Sequence, residues 1–364
     1  MRLDPAGVPL LNRGRRALRA RCVLAAVSGL ALLLAAGCGN SGSPGGAVSS
    51  TVVIAAVPGV SDAAIYLAQK DGLFAAEGLQ HVRIENEPSQ AAVVNALQNS
   101  HPVADIGASD YGNIFYAQAQ SHDLRILADG YDATAGSLEI LTLPGSSITS
   151  PAGLVSTNVT VGMPSDDIVT ALKKAPSAGQ PASLDQAAAI QVLKNYVGNA
   201  AGSVKWKVES QQQEVKDLGS HKLQAILVSE PYIYQAESKL GATEVLDAFS
   251  GETAGLPLLG YVALNAWVGQ NPGAVADFQA AIAKAQAEAS LAGQVQGVLH
   301  SSAGMSVQDA DLITVGTYPT STSIEKLQSV VLLMGSGNGS MVNTNDAAVS
   351  RRLNIKPMLV GPSN

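Results

Sequence analysis

From residue 51 onward, short β-branched or apolar runs alternate with stretches whose apolar residues recur at helical spacing. That alternation restricts the chain to an α/β fold whose strands lie mostly parallel. Strand-like runs occupy 51–56, 82–86, 103–107, 124–128 and 138–143, and a second series occupies 159–163, 204–208, 225–229 and 258–264. Ser61 or Asp62 caps a helix with Ala64, Leu67 and Ala68 on one face. Ser89 opens another with Val93, Ala96 and Leu97 inward, and Asp110 precedes Tyr111, Ile114, Phe115 and Gln118 at helical spacing. In the second series, Ser183 and Gln186 have capping-box spacing before Ile190, Leu193 and Val197, and Gly198 ends that helix. Val204, Trp206 and Val208 alternate with Lys205, Lys207 and Glu209, which predicts one buried and one wet face. Pro231 suits the first turn of a helix, Asn271-Pro272 opens a long one with Val275, Phe278, Ile282 and Ala285, and two more follow Ser306 and Ser323.

Residues 144–153 are rich in Ser, Gly and Pro, so the chain is expected to cross there into a second lobe. The apolar strand at 258–264 then returns to the first. The expected organisation is a first lobe of 51–145 plus 258–364 and a second of 146–257, joined by two hinge crossings at 145–153 and 251–259. Strand ends and helix starts of both lobes would then surround a central cleft, where ligands collect in such folds.

The first 37 residues have the three parts of an export signal. Arg13, Arg15, Arg16, Arg19 and Arg21 form a basic stretch, an apolar run covers 22–36, and small residues precede Cys38. Fifteen apolar residues fall short of the roughly 20 that span a bilayer, so this segment reads as an address, not an anchor helix. Leu34-Ala35-Ala36-Gly37-Cys38 resembles a bacterial lipobox, with Ala35 where Leu is more usual. The resemblance implies lipidation of Cys38, cleavage before it, and a position on the outer face of the cytoplasmic membrane. Arg19 stands where a twin-arginine signal favours an apolar residue, which points to the general secretory route. Residues 39–50, nearly all Gly, Ser, Pro and Ala, complete a flexible tether over 38–50.

Composition excludes several function classes. The chain is 46% hydrophobic and 14% charged, too apolar for disorder and without the long runs of a multispan membrane protein. The leader holds six Arg and one Asp, leaving 16 basic and 28 acidic residues and a net charge of −12 on the rest. Nucleic acid is a poor partner for that balance. Both cysteines, Cys22 and Cys38, fall at the N-terminal end, which removes disulfides, cysteine-ligated metal and a cysteine nucleophile from the body.

Several segments resemble a known group. Val57-Pro58-Gly59, the run 63–68 and the run 70–79 with Gly72-Leu73-Phe74 are similar to the start of solute-binding proteins of ABC importers for nitrate, sulfonates, taurine and thiamine pyrimidine precursors. Ala104-Asp105-Ile106-Gly107, Glu230-Pro231-Tyr232 and Asn271-Pro272 continue the likeness, which covers about 52–334. It implies a type 2 periplasmic-binding-protein fold, capture of a small-molecule solute, no cofactor, no chemistry on the ligand, and delivery to an ABC permease and its ATPase by a monomer.

Helix starts around such a cleft offer free N–H groups and the positive end of the helix dipole. The candidate ligand contacts are therefore Pro58, Gly59, Ser61, Asp62, Ser89, Ser109, Asp110, Tyr131, Ser165, Asp166, Ser210, Gln211, Glu230 and Tyr232. Each Ser or Asp among them has an ordinary N-capping role as its alternative, and Tyr66, Tyr111, Tyr131 and Tyr232 either stack on a ligand or pack. Carboxylates gather near the expected strand ends while Lys70, Arg83 and Arg125 belong to helix faces or strand interiors. This balance weakens nitrate and favours a neutral or cationic heteroaromatic or amine-bearing solute. Trp206 or Trp267 would report closure by fluorescence. The motifs G-x-S-x-G, H-E-x-x-H and the P-loop are absent and the five histidines lie apart, which argues against an enzyme. A lipid-anchored adaptor or sensor without a transported ligand is the alternative class.

Overall fold

The computed structural model describes residues 51–98, 102–164, 183–291, 293–335 and 341–361, all within the compact unit Val48–Asn364. The export segment, Cys38 and the tether lie outside the described residues, as do Ser165 and Asp166.

The chain begins with β1 (Val52–Ala56), α1 (Ala63–Lys70), α2 (Leu73–Ala76), β2 (Val82–Asn86) and α3 (Gln90–Gln98). It continues through β3 (Ile106–Asp110), α4 (Tyr111–Ala119) and β4 (Leu124–Asp132). A second set follows: β5 (Leu138–Thr142), β6 (Thr160–Pro164), α5 (Leu184–Val197), β7 (Lys205–Glu209), α6 (Gln211–Gly219), β8 (Ala225–Ser229), α7 (Tyr232–Leu240) and β9 (Thr243–Asp247). The return consists of β10 (Pro257–Leu264), α8 (Asn265–Gln270), α9 (Pro272–Ala289), α10 (Gln294–Ser302), α11 (Val307–Ala310), α12 (Ile324–Gly335), α13 (Ala347–Arg352) and α14 (Ile355–Met358).

These strands make two five-stranded sheets, ordered β2-β1-β3-β10-β4 and β7-β6-β8-β5-β9. In the first, β1 pairs parallel with β2 and β3, whereas β10 runs antiparallel to β3 and β4. In the second, β6 pairs parallel with β7 and β8, and β5 lies antiparallel to β8 and β9. Each sheet is thus mixed but mostly parallel in direction, four strands running one way and one strand, β10 or β5, arriving from the other lobe to run against them. The interior strand β1 has Ile54, Ala55 and Ala56 fully buried, as a strand covered on both faces requires. Phe278 of α9 stacks on Phe74 of α2 at 6.1 Å and meets Tyr261 of β10 edge-on at 5.5 Å, which packs the helical layer on the first sheet.

Three expectations need correction. The first lobe does not extend to residue 145: β5 belongs to the second sheet, so the outgoing crossing is 133–137, and the Gly-rich 145–153 stretch lies within the second lobe. The composition of that stretch signals an ordinary turn after β5, with Gly145 at φ 77°. The third strand starts at Ile106 rather than at Val103, which is 55% exposed. Val208 is 38% exposed because β7 is the edge of its sheet, so the alternation there does not give a fully buried face. The outgoing crossing is tied to the return crossing by Ala133 N–H donating to the Leu256 carbonyl (2.8 Å), and to the end of β9 by Gly136 N–H donating to the Asp247 carboxylate (3.2 Å).

Candidate functional site

Between the lobes lies a cavity of about 660 Å³. Its walls are the loops that follow β1, β2, β3, β7 and β8, together with the starts of α3, α4, α5, α6 and α7. This is the carboxyl-end crevice where open α/β sheets hold ligands, and its volume suits a small organic molecule.

Of the candidate contacts, Pro58, Gly59, Ser61, Ser89, Asp110, Tyr131, Ser210, Gln211, Glu230 and Tyr232 line this cavity. Asp62 and Ser109 do not: both are fully buried behind the lining. Asp62 accepts the Ser61 hydroxyl (2.9 Å) and Gln90 Nε2 (3.4 Å), and Ser109 donates to the Gln90 carbonyl (2.9 Å). Tyr111 is core, stacked on Phe115 at 5.4 Å and donating to Asp129 at 3.1 Å, while Tyr66 donates to Asn86 at 2.7 Å away from the cavity. Neither Trp206 nor Trp267 lines the cavity, so neither stands where ligand would touch it.

The capping roles are present as well. Ser89, Ser183, Ser210 and Ser306 accept the N–H of Ala92 (3.2 Å), Gln186 (3.0 Å), Gln213 (3.3 Å) and Asp309 (3.0 Å). Asp110 accepts both the backbone N–H of Asn113 (2.7 Å) and its side-chain amide. Asp62 stands at the N-cap of α1 without making a side-chain cap.

Sequence reasoning missed Asp185, in the first turn of α5, and the strip 303–306 with Asp309 and Thr314. Asp185 gave no signal because an acidic residue in a first turn is what the helix dipole favours in any helix. The strip comes from the long C-terminal segment, where no strand end marked a loop as cleft-facing.

The electrostatics are acidic. Asp110, Asp185, Glu230 and Asp309 line the cavity, and no Lys, Arg or His does among the described residues. Burial raises the Asp110 carboxyl, opposed by its bonds from Asn113. Part of Asp185 opens on the cavity, yet the surrounding protein keeps bulk water away, so burial first and then repulsion from Asp110 push it to about 7. Burial also raises Glu230, less so because its carboxylate accepts the N–H of Thr314 (3.1 Å) and of Tyr234 (3.1 Å). Thr314 belongs to the return segment of the first lobe, so this carboxylate joins the lobes. Tyr131 is raised to about 12 by burial, and its hydroxyl accepts Gly316 N–H at 2.6 Å.

The geometry agrees with comparison to known proteins. The aliphatic sulphonate-binding protein SsuA of Escherichia coli superposes with a TM-score of 0.63 at 14% identity, covering 85% of this chain and 96% of that one. A ligand-binding component of an ABC-type import system from Staphylococcus aureus gives 0.60 at 13% identity, with 78% and 90% covered. The nitrate-binding protein NrtA of Synechocystis PCC 6803 gives 0.54 at 16% identity, with 71% and 68% covered. At such identities the likeness establishes the periplasmic-binding-protein fold. No curated protein matches the sequence. The family profile described as NMT1/THI5 like matches residues 61–291, well over half of the chain, and on that match the chain belongs to the NMT1/THI5-like family.

Proposed function

We propose that this protein is the extracytoplasmic solute-binding component of an ABC importer. It captures a small organic solute between its lobes, closes on it by hinge motion, and hands it unaltered to a permease driven by a cytoplasmic ATPase. The observation that carries this reading is the 660 Å³ cavity at the carboxyl ends of two sheets, lined from both lobes and crossed by the Glu230–Thr314 bond. The structural neighbours, sulphonate- and nitrate-binding proteins and a ligand-binding component of an ABC-type import system, support the same role. Closure follows from ordinary linkage: a solute that touches both lobes binds the closed form better and shifts the population towards it.

The export signal and the lipobox-like junction before Cys38 support a lipid-anchored position on the outer face of the cytoplasmic membrane, and the protein acts there as a monomer in this reading. Cys38→Ala is expected to move it from the membrane to the soluble fraction, and retention in the membrane would overturn the anchor. For solute capture the decisive measurement is native mass spectrometry of the purified protein. One equivalent of a co-purified small molecule, with compaction in small-angle scattering when it is added back, is the expected result. An empty cleft after growth in several media would favour an adaptor or sensor that recognises a protein.

A further inference from the structure

We infer that the cleft selects a solute bearing a protonated nitrogen, an amine or an amidine, seated between Asp110 of the first lobe and Asp185 of the second, and that it does not select an oxyanion. The inference rests on the solute-binding reading and names its ligand class.

Both residues line the cavity, one from each lobe, close enough for the Asp110 charge to act on the Asp185 carboxyl. A methyl group placed on Gly112 would stand 2.8 Å from Asp110 Oδ1 and 3.3 Å from Cβ of Leu184, the neighbour of Asp185. The start of α4 and the start of α5 therefore meet at that point. Their charges repel, and no basic side chain lines the cavity among the described residues to offset them. Buried carboxylates are ordinarily paired or hydrogen-bonded, as Glu230 is by two backbone N–H groups. Asp110 has only the local donors of its own helix start, and Asp185 accepts no hydrogen bond among the described residues.

An independent observation points the same way. Gln90, also on the lining, turns its Nε2 to Asp62 and leaves its buried Oε1 without a donor. Ser, Thr, Tyr and Gln side chains put neutral donors on this lining, but its charged groups are all carboxylate acceptors among the described residues, which suits a ligand rich in N–H groups and opposes an anion. The starts of α3, α4, α5 and α6 carry side-chain caps from Ser89, Asp110, Ser183 and Ser210, each of which occupies one N–H that an oxyanion would use. Tyr131, Tyr232 and Tyr234 supply aromatic faces that a cation favours. A cation bridging Asp110 and Asp185 relieves the repulsion only when the lobes are together, so its binding and closure are one event.

The test uses compounds of equal body and different charge: benzylamine, benzyl alcohol and benzenesulfonate, and putrescine, butane-1,4-diol and butane-1,4-disulfonate, each at about 10 mM. The amines are expected to raise the melting temperature of the protein by at least about 2 °C and the sulfonates to leave it unchanged. Asp185→Asn is expected to weaken the bound amine at least tenfold by calorimetry while the unliganded variant melts no lower than the parent, since it loses a repulsion and no hydrogen bond. Stabilisation by the sulfonates, no response to any compound, or an amine affinity unchanged in Asp185→Asn would overturn the inference. A co-purified anionic solute would do so while leaving solute capture intact. If Asp185→Asn fails to fold, the two compound series measured on the parent protein still decide.

Discussion

Asp62, Asp129 and Glu139 are buried carboxyls whose main perturbation is the loss of water, which pushes them to about 7, 8 and 8. Asp129 is raised further by neighbouring Asp132, and Glu139 by Glu244, Glu237, Asp247 and Glu230. A carboxyl held above its ordinary value in the folded state binds its proton more tightly there than in the unfolded chain. Its stabilising contribution is full below the ordinary carboxyl value near 4 and is lost as pH rises towards 8. The melting temperature is therefore expected to fall by at least about 3 °C between pH 5 and pH 8.5. Asp62→Asn should flatten that slope, and a profile that rises over the interval would contradict the assignment. The sequence showed acidic residues gathering near strand ends, but not which would face the cavity. Ser61 and Asp62 are adjacent, yet one lines the cleft and the other lies sealed behind it. That difference is set by the packing of α1 and α3, which no local spacing encodes.

Element boundaries were more legible than pairings. The strand runs at 82–86 and 225–229 and the stripe Val275, Phe278, Ile282 and Ala285 appear as read, because periodicity records which face is buried. Membership of β5 was not legible: Leu138–Thr142 is buried throughout, so nothing in it distinguishes one sheet from the other. The strand β10 fills the gap between β3 and β4, and Gly260 on it lies against the Tyr111 ring, whose atoms would stand 2.6–2.8 Å from an added Cβ. Gly260→Ala forces that buried ring aside and is expected to cost about 1–3 kcal/mol, measured by urea unfolding. Ser183→Ala removes the cap of α5 and should cost about 1 kcal/mol by the same assay. A neutral result in either would show that the neighbours yield more readily than the packing implies.

For the whole molecule, the bond from Thr314 N–H to Glu230 is a latch between lobes that are also joined by the crossings and by a shared apolar cluster that includes Phe115, Leu193, Leu327 and Met334. Glu230→Ala should shift the unliganded protein towards the open form, read as a larger radius of gyration by small-angle scattering. An unchanged radius would remove the latch. Because both tryptophans lie away from the cleft, their emission should change little on solute binding, and the signal belongs to Tyr131 and Tyr232 in near-ultraviolet circular dichroism.

The placement of β10 has a consequence for synthesis. The first sheet lacks an interior strand until residue 264 has left the ribosome, by which time the other half has been made in full. Until then β3 and β4 keep open edges, so a nascent or shortened chain ending before residue 257 carries two unsealed strands and should aggregate unless held by a chaperone.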